Sequence, residues 1–158
     1  MELKGSCHCG GVRFSLVSRT PYPYMRCYCS ICRKTAGGGG YAVNIMGEAG
    51  SLKIEGEENI AIYQAKMPGA KTSPARRSFC KQCGSALWLA DPRWPDGIWP
   101  LASAIDTQLP VPPEAVNLML DYAPAWTGAP DSDGKKNFAE YPELSIEDWH
   151  RNLGLIVE

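Results

Sequence analysis

Short stretches in which apolar and polar residues alternate, rich in β-branched and aromatic side chains, recur along most of the chain. They fall at residues 11–17, 40–46, 52–56, 60–66, 75–79, 86–89, 99–105 and 116–121. A period of two sends successive side chains to opposite faces, so each stretch reads as a strand with one buried face. Turn chemistry separates them, at Gly47-Glu48-Ala49-Gly50, Gly56-Glu57-Glu58-Asn59, Pro68-Gly69, Asp91-Pro92 and Asp96-Gly97. Such spacing predicts a mainly β, antiparallel protein with few helices. The strongest helix signal lies at 145–153, where Ser145 is the expected N-cap, Glu147 and Asp148 occupy the first turn and Gly154 supplies the stop. Past residue 107 the pattern thins. Pro110-Val111-Pro112-Pro113 and the stretch from Ala129 to Lys136 read as loops, and the segment between them holds too little apolar mass to fold alone. The chain is therefore expected to be one domain over 1–158 with a loop-rich C-terminal extension from about 107.

Length and charge narrow the partners. A chain of 158 residues can bury roughly 70% of its unfolded surface in one core. Sixteen basic and seventeen acidic side chains leave a formal charge of −1, so no global field favours nucleic acid or an anionic membrane. Nothing approaches the roughly 20 apolar residues of a membrane span, and the start lacks a basic stretch followed by an apolar one. A small-molecule partner and a cytoplasmic location are expected; the oligomeric state is not readable.

The seven cysteines change the picture most. In a reducing compartment, thiols in such number point to metal binding or catalysis rather than disulfides, and an odd count would leave a disulfide framework with one thiol over. They fall in three tight groups: Cys7-His8-Cys9, Cys27-Tyr28-Cys29-Ser30-Ile31-Cys32 and Cys80-Lys81-Gln82-Cys83-Gly84. Zinc takes four ligands in a tetrahedron with Zn–S near about 2.3 Å, and a two-residue gap lets one turn deliver two sulfurs to one ion. Counting then divides the thiols. Cys7, Cys9, Cys80 and Cys83 make a closed structural zinc site joining segments some seventy residues apart, while Cys27, Cys29 and Cys32 make an open catalytic zinc site with one position left over, giving two zinc ions per chain. Gly84 suits a turn that ends with positive φ. His8 lies between two ligands and is read as a bystander, because cysteine already fills the four positions.

Around these groups, Arg33 and Lys34 sit on a short helix begun by Ser30 as N-cap, placed to offset the negative charge of three thiolates and to orient a carboxylated thiol. Gly37-Gly38-Gly39-Gly40 is read as a rim around the open site and not as a phosphate loop. Alternation sends Arg76 and Arg77 to opposite faces, so that one of them reaches the site. His150 is expected at the surface, as a cation near a helix end. The tryptophans are expected in packing, with Trp126, near Tyr122 and Pro124, a candidate pocket wall.

Three motifs, Gly5-Ser6-Cys7-His8-Cys9-Gly10-Gly11-Val12-Arg13-Phe14, Cys27-Tyr28-Cys29-Ser30-Ile31-Cys32-Arg33-Lys34 and Phe79-Cys80-Lys81-Gln82-Cys83-Gly84-Ser85, closely resemble the glutathione-dependent formaldehyde-activating (GFA, or centromere-protein-V-like) family. The resemblance covers about the first hundred residues. It implies a zinc-containing β-tent fold with short helical turns, the same four-and-three division of sulfur, and the reversible addition of the glutathione thiol to formaldehyde. This chain departs from many members in carrying Tyr28 where they have histidine, and the segment after Asp106 matches none of their motifs. The first expectation for function is thus a carbon–sulfur lyase-like zinc enzyme, with Cys27, Cys29 and Cys32 holding the metal and Arg33 and Lys34 orienting substrate. The alternatives are a zinc-stabilised binding or interaction module, and metal storage or redox sensing through the central thiols.

Overall fold

A computed structural model describes residues 1–158, Ala70 excepted. Eleven strands form three small sheets. In the first, β1 (Glu2–Ser6), β2 (Arg13–Val17) and β6 (Lys53–Glu55) lie in the order β1-β2-β6. The second runs β5-β10-β9-β8-β7, from β5 (Gly47–Glu48), β7 (Ile60–Tyr63), β8 (Arg76–Cys80), β9 (Ala86–Ala90) and β10 (Gly97–Pro100). The third runs β11-β3-β4, from β3 (Met25–Cys27), β4 (Ala42–Val43) and β11 (Val116–Leu118). Every pairing is antiparallel except β11 with β3, which is parallel. Two helices, α1 (Ser30–Ala36) and α2 (Ile146–Asn152), and several single 3-10 turns complete the chain. Among the described residues no helix is long and apolar enough to cross a membrane.

The expected mainly β architecture is present, with corrections at the edges. Strand β1 carries one large apolar residue, Leu3, so its alternation is weak in sequence. Its other inward position is Gly5, where a side chain would collide with the Ala104 carbonyl and the Phe14 ring, so a glycine allows the close approach. The stretch predicted at 99–105 stops at Pro100 and turns into a 3-10 helix at Ala102–Ala104. That predicted at 116–121 stops at Leu118, because Met119 takes φ of 61°, which no strand continues through.

The main core gathers Leu3, Val12, Phe14, Leu16, Ile45, Leu87, Trp88 and Ile98, with the Phe14 and Trp88 rings edge to face at 5.1 Å. Each fully buried aliphatic side chain contributes on the order of 1.5–3 kcal/mol. A smaller cluster holds α2. The Tyr24 and Trp149 rings stack at 3.6 Å and an interplanar angle of 2° against Val116, while Ser145 Oγ accepts from the Asp148 N–H at 3.1 Å, the cap expected from sequence. His150 corrects its expectation. It is fully buried, Nε2 accepting from the Tyr22 N–H at 3.3 Å, and Nδ1–H donates to the Ile146 carbonyl at 2.8 Å. Both nitrogens are engaged only in the neutral tautomer, and burial pushes the pKa down.

Candidate metal centre

Two tight turns from different sheets meet at the first sulfur cluster. Cys7 follows β1, and its turn closes through Gly10 N–H to the Cys7 carbonyl at 3.0 Å, with Gly10 at φ 73°. Cys80 ends β8. There Gly84, at φ 74°, donates to the Cys80 carbonyl at 2.8 Å, so the glycine does what the sequence asked of it. The four Sγ atoms of Cys7, Cys9, Cys80 and Cys83 lie within 4.8 Å of one another. A tetrahedron of sulfurs at about 2.3 Å from zinc has edges of about 3.8 Å. The Cys7–Cys9 and Cys9–Cys80 separations of 3.5 and 3.8 Å fit that donor geometry. Backbone and hydroxyl groups hold the sulfurs from outside: Val12 N–H donates to Cys7 Sγ at 3.2 Å, and Ser85 Oγ lies 3.2 Å from Cys83 Sγ. The Ser85 hydroxyl, then the Ser85 and Cys9 backbones, pull the Cys83 thiol down to about 5. His8 takes no part in the cluster; its N–H donates to Ser85 Oγ.

The second cluster is local. Cys27 ends β3, the middle strand of its sheet, pinned between Ala42 on β4 and Leu118 on β11. Cys29 is the N-cap of α1 and Cys32 lies in its first turn, with the Cys32 N–H donating to Cys29 Sγ at 3.3 Å. This corrects the expectation for Ser30, which is the first helical residue, the capping acceptor being the sulfur of Cys29. The three Sγ atoms again lie within 4.8 Å of one another. The Cys29 thiol is driven well down, first by Cys27 and Cys32 as donors and then by the Cys32 and Ile31 backbones, whereas Cys27 is driven well up as their partner. Among the described residues these two clusters are the groups able to hold a metal ion.

Arg77 is the basic residue that reaches the three-sulfur cluster, its guanidinium donating to Cys32 Sγ at 3.6 Å, while Arg76 faces solvent. Arg33 is half-buried, with its Nε enclosed and unpartnered, and Lys34 is exposed. Both stand on α1 next to Cys32, but neither lines the cavity of about 390 Å³ that opens beside that cysteine. Cys32 and Arg77 form a polar corner of this cavity. The glycine run does not line it. Gly40, at φ 92°, instead lets Thr127 and Trp126 pack where a side chain would collide, so Trp126, 69% exposed, leans on the loop and is not a cavity wall. Tyr28 is buried against Tyr41, their rings 5.3 Å apart.

Two features escaped sequence reasoning. The cavity is created by small side chains on separate elements, which no local pattern announces. Tyr141, from the C-terminal extension, is the other: its hydroxyl is held above the ordinary phenol value by desolvation and then by the charges of Cys27, Cys29 and Cys32.

Comparison with known proteins agrees with this geometry. The sequence profile described as "Glutathione-dependent formaldehyde-activating enzyme" matches residues 2–119. A Halomonas elongata protein bearing the provisional name of a glutathione-dependent formaldehyde-activating enzyme is 57% identical over 155 residues, covering 98% of each chain. A crystal structure of a Rhodobacter sphaeroides protein superposes with a TM-score of 0.52 at 26% identity, covering 68% of this chain and 91% of that one. A match of this extent, with a relative this similar, means that the chain belongs to the glutathione-dependent formaldehyde-activating enzyme family.

Proposed function

We propose that the protein is a zinc enzyme of the carbon–sulfur lyase class, joining a thiol, glutathione, to a small carbonyl such as formaldehyde at the Cys27, Cys29 and Cys32 cluster. The observation that carries this reading is the inequality of the two sulfur clusters: one offers four thiols to an ion, the other three, and Cys32 of the second lines a cavity of about 390 Å³ whose lining includes none of the four cysteines of the first. Cys27, Cys29 and Cys32 would hold the zinc ion, which when bound would supply the Lewis acidity that lowers a thiol's pKa toward neutral pH. Cys7, Cys9, Cys80 and Cys83 are assigned to a structural zinc, for two ions per chain.

The chain's own residues do the rest. Arg77 offsets negative charge on Cys32 through its donated hydrogen bond. The backbone of α1 fixes Cys29 by its cap, holding the trio in register before substrate arrives. Arg33 and Lys34, beside the trio but outside the cavity, are assigned to the carboxylates of glutathione, which remain in water. The thiol sulfur attacks the carbonyl carbon, one C–S bond forms, and the carbonyl π pair moves onto oxygen, which takes up the proton that the thiol gave. Residues 1–158 are assigned to one cytoplasmic domain with a loop-rich C-terminal extension from about residue 107.

Exchange NMR of glutathione with formaldehyde tests it. The zinc-loaded protein is expected to accelerate adduct exchange, and the Cys29→Ser variant to lose the acceleration. Absence of acceleration in the zinc-loaded wild type would leave a zinc-stabilised binding module as the account.

A further inference from the structure

Formaldehyde has two heavy atoms, and the space beside Cys32 is far larger than it needs. At about 390 Å³ the cavity falls within the range of roughly 300–1,000 Å³ that seats small organic ligands. Its walls are mostly apolar, formed by Ala36 on α1, Ala42 on β4, Phe79 on β8, Ala86 and Trp88 on β9, and Leu101. Three of these are alanines, so the volume exists because side chains from three elements are small where they face one another. The polar lining is Cys32 with Arg77, whose guanidinium is already turned to sulfur at 3.6 Å, together with Thr35, Asn44, Tyr63 and Ser78 at the margins.

Glutathione is a poor occupant for such a space. It carries two carboxylates and an ammonium, and burying all three charges in a lining that is mostly alanine, phenylalanine, tryptophan and leucine, with one guanidinium already engaged by sulfur, is unfavourable. Its thiol can meet the cysteine trio with the charged ends left in water, which leaves the cavity to the other reactant.

We propose that the cavity seats the apolar body of an aldehyde, so that the site joins its thiol to aldehydes bearing an alkyl chain or aromatic ring in preference to formaldehyde. This rests on the thiol-activating reading above. The atoms balance as before: the sulfur bonds to the aldehyde carbon, the π pair passes to oxygen, the thiol's proton ends on that oxygen as a hemithioacetal, and no oxidant or reductant is consumed. The chain or ring, which takes no part in the bond change, gains its affinity by leaving water.

The test measures exchange of glutathione with formaldehyde, propanal and hexanal on zinc-loaded protein, each against its own uncatalysed rate. KM is expected to fall roughly fourfold per methylene from propanal to hexanal, the factor that burying one methylene carries. Ala36→Leu, or Ala86→Val should the first variant fold poorly, is expected to lower the hexanal-to-formaldehyde ratio of kcat/KM about tenfold. A readout independent of turnover is the shift of the Ala36, Ala42 and Ala86 methyl signals on adding n-hexanol, an unreactive chain of the same length. Acceleration with formaldehyde, but a KM flat along the series and no methyl shifts, overturns this inference and leaves the proposed function standing. No acceleration with any aldehyde overturns the proposed function and removes the aldehyde assignment with it.

Discussion

The two sulfur clusters place the same atom type in opposite settings. Cys7 and Cys80 are buried to 2% and 0% exposure, Cys9 and Cys83 are exposed, and the four together tie the turn after β1 to the turn after β8 across 73 positions. Closing so long a loop is where a crosslink removes most from the unfolded chain's freedom. Cys27, Cys29 and Cys32 span one strand end and one helical turn, a connection that the β3 pairings and the α1 backbone already make. Metal there closes almost no loop. A cluster that holds distant segments and offers four donors is suited to stability, whereas a cluster that offers three donors on a preformed local frame, next to a cavity, is suited to chemistry.

The sharpest way to break the comparison is to remove one sulfur from each cluster. Cys80→Ser is expected to unfold the protein, since apparent zinc binding of about 10–16 kcal/mol in structural sites exceeds ordinary domain stability; loss of near-UV circular dichroism at 25 °C checks it. Cys29→Ser is expected to leave the fold intact and abolish thiol–aldehyde exchange. Serine is itself a good N-cap, so this variant keeps an acceptor for the Cys32 N–H and isolates the metal's role from the helix's. If the two variants melt alike, the division of labour fails.

A smaller effect sharpens the account within the open cluster. Arg77→Gln removes the cation donating to Cys32 Sγ and is expected to lower kcat/KM roughly tenfold, with Arg77→Lys recovering part of it, since lysine restores charge without the planar donor geometry. Zinc content should stay unchanged. The smallest effect lies away from both clusters. His150 is buried neutral with its pKa pushed down, so its contribution is complete above the unfolded value of about 6.5 and is lost as pH falls from there toward the folded value, where the unfolded chain binds the extra proton. Amide exchange should show α2 loosening below about pH 6.5, and His150→Gln should flatten that dependence.

How much of this was legible in sequence depends on the range over which each cause acts. Strands β2, β6, β7, β8 and β9 were readable because their alternation is local, and so was α2 through Ser145 and Gly154. Strands β1 and β3 were not, since what makes them strands is partners elsewhere: Phe14 against Gly5, and Ala42 and Leu118 beside Cys27. The cysteine groups announced themselves by spacing, and alternation on β8 separated Arg77 from Arg76. His150 misled because a helix-end histidine looks like a surface cation until Tyr22, 128 positions away, supplies an N–H for it to accept. The cavity gave no signal at all, since alanines on α1, β4 and β9 are unremarked one at a time.

The central claim is the unequal sharing of sulfur, and metal analysis with coordination measured by X-ray absorption tests it most directly. Wild type loaded with zinc should hold two ions per chain, and Cys29→Ser should keep one, surrounded by sulfur alone at about 2.3 Å. A single ion in the wild type, or a remaining ion in Cys29→Ser that shows mixed sulfur and lighter ligands, would contradict the account.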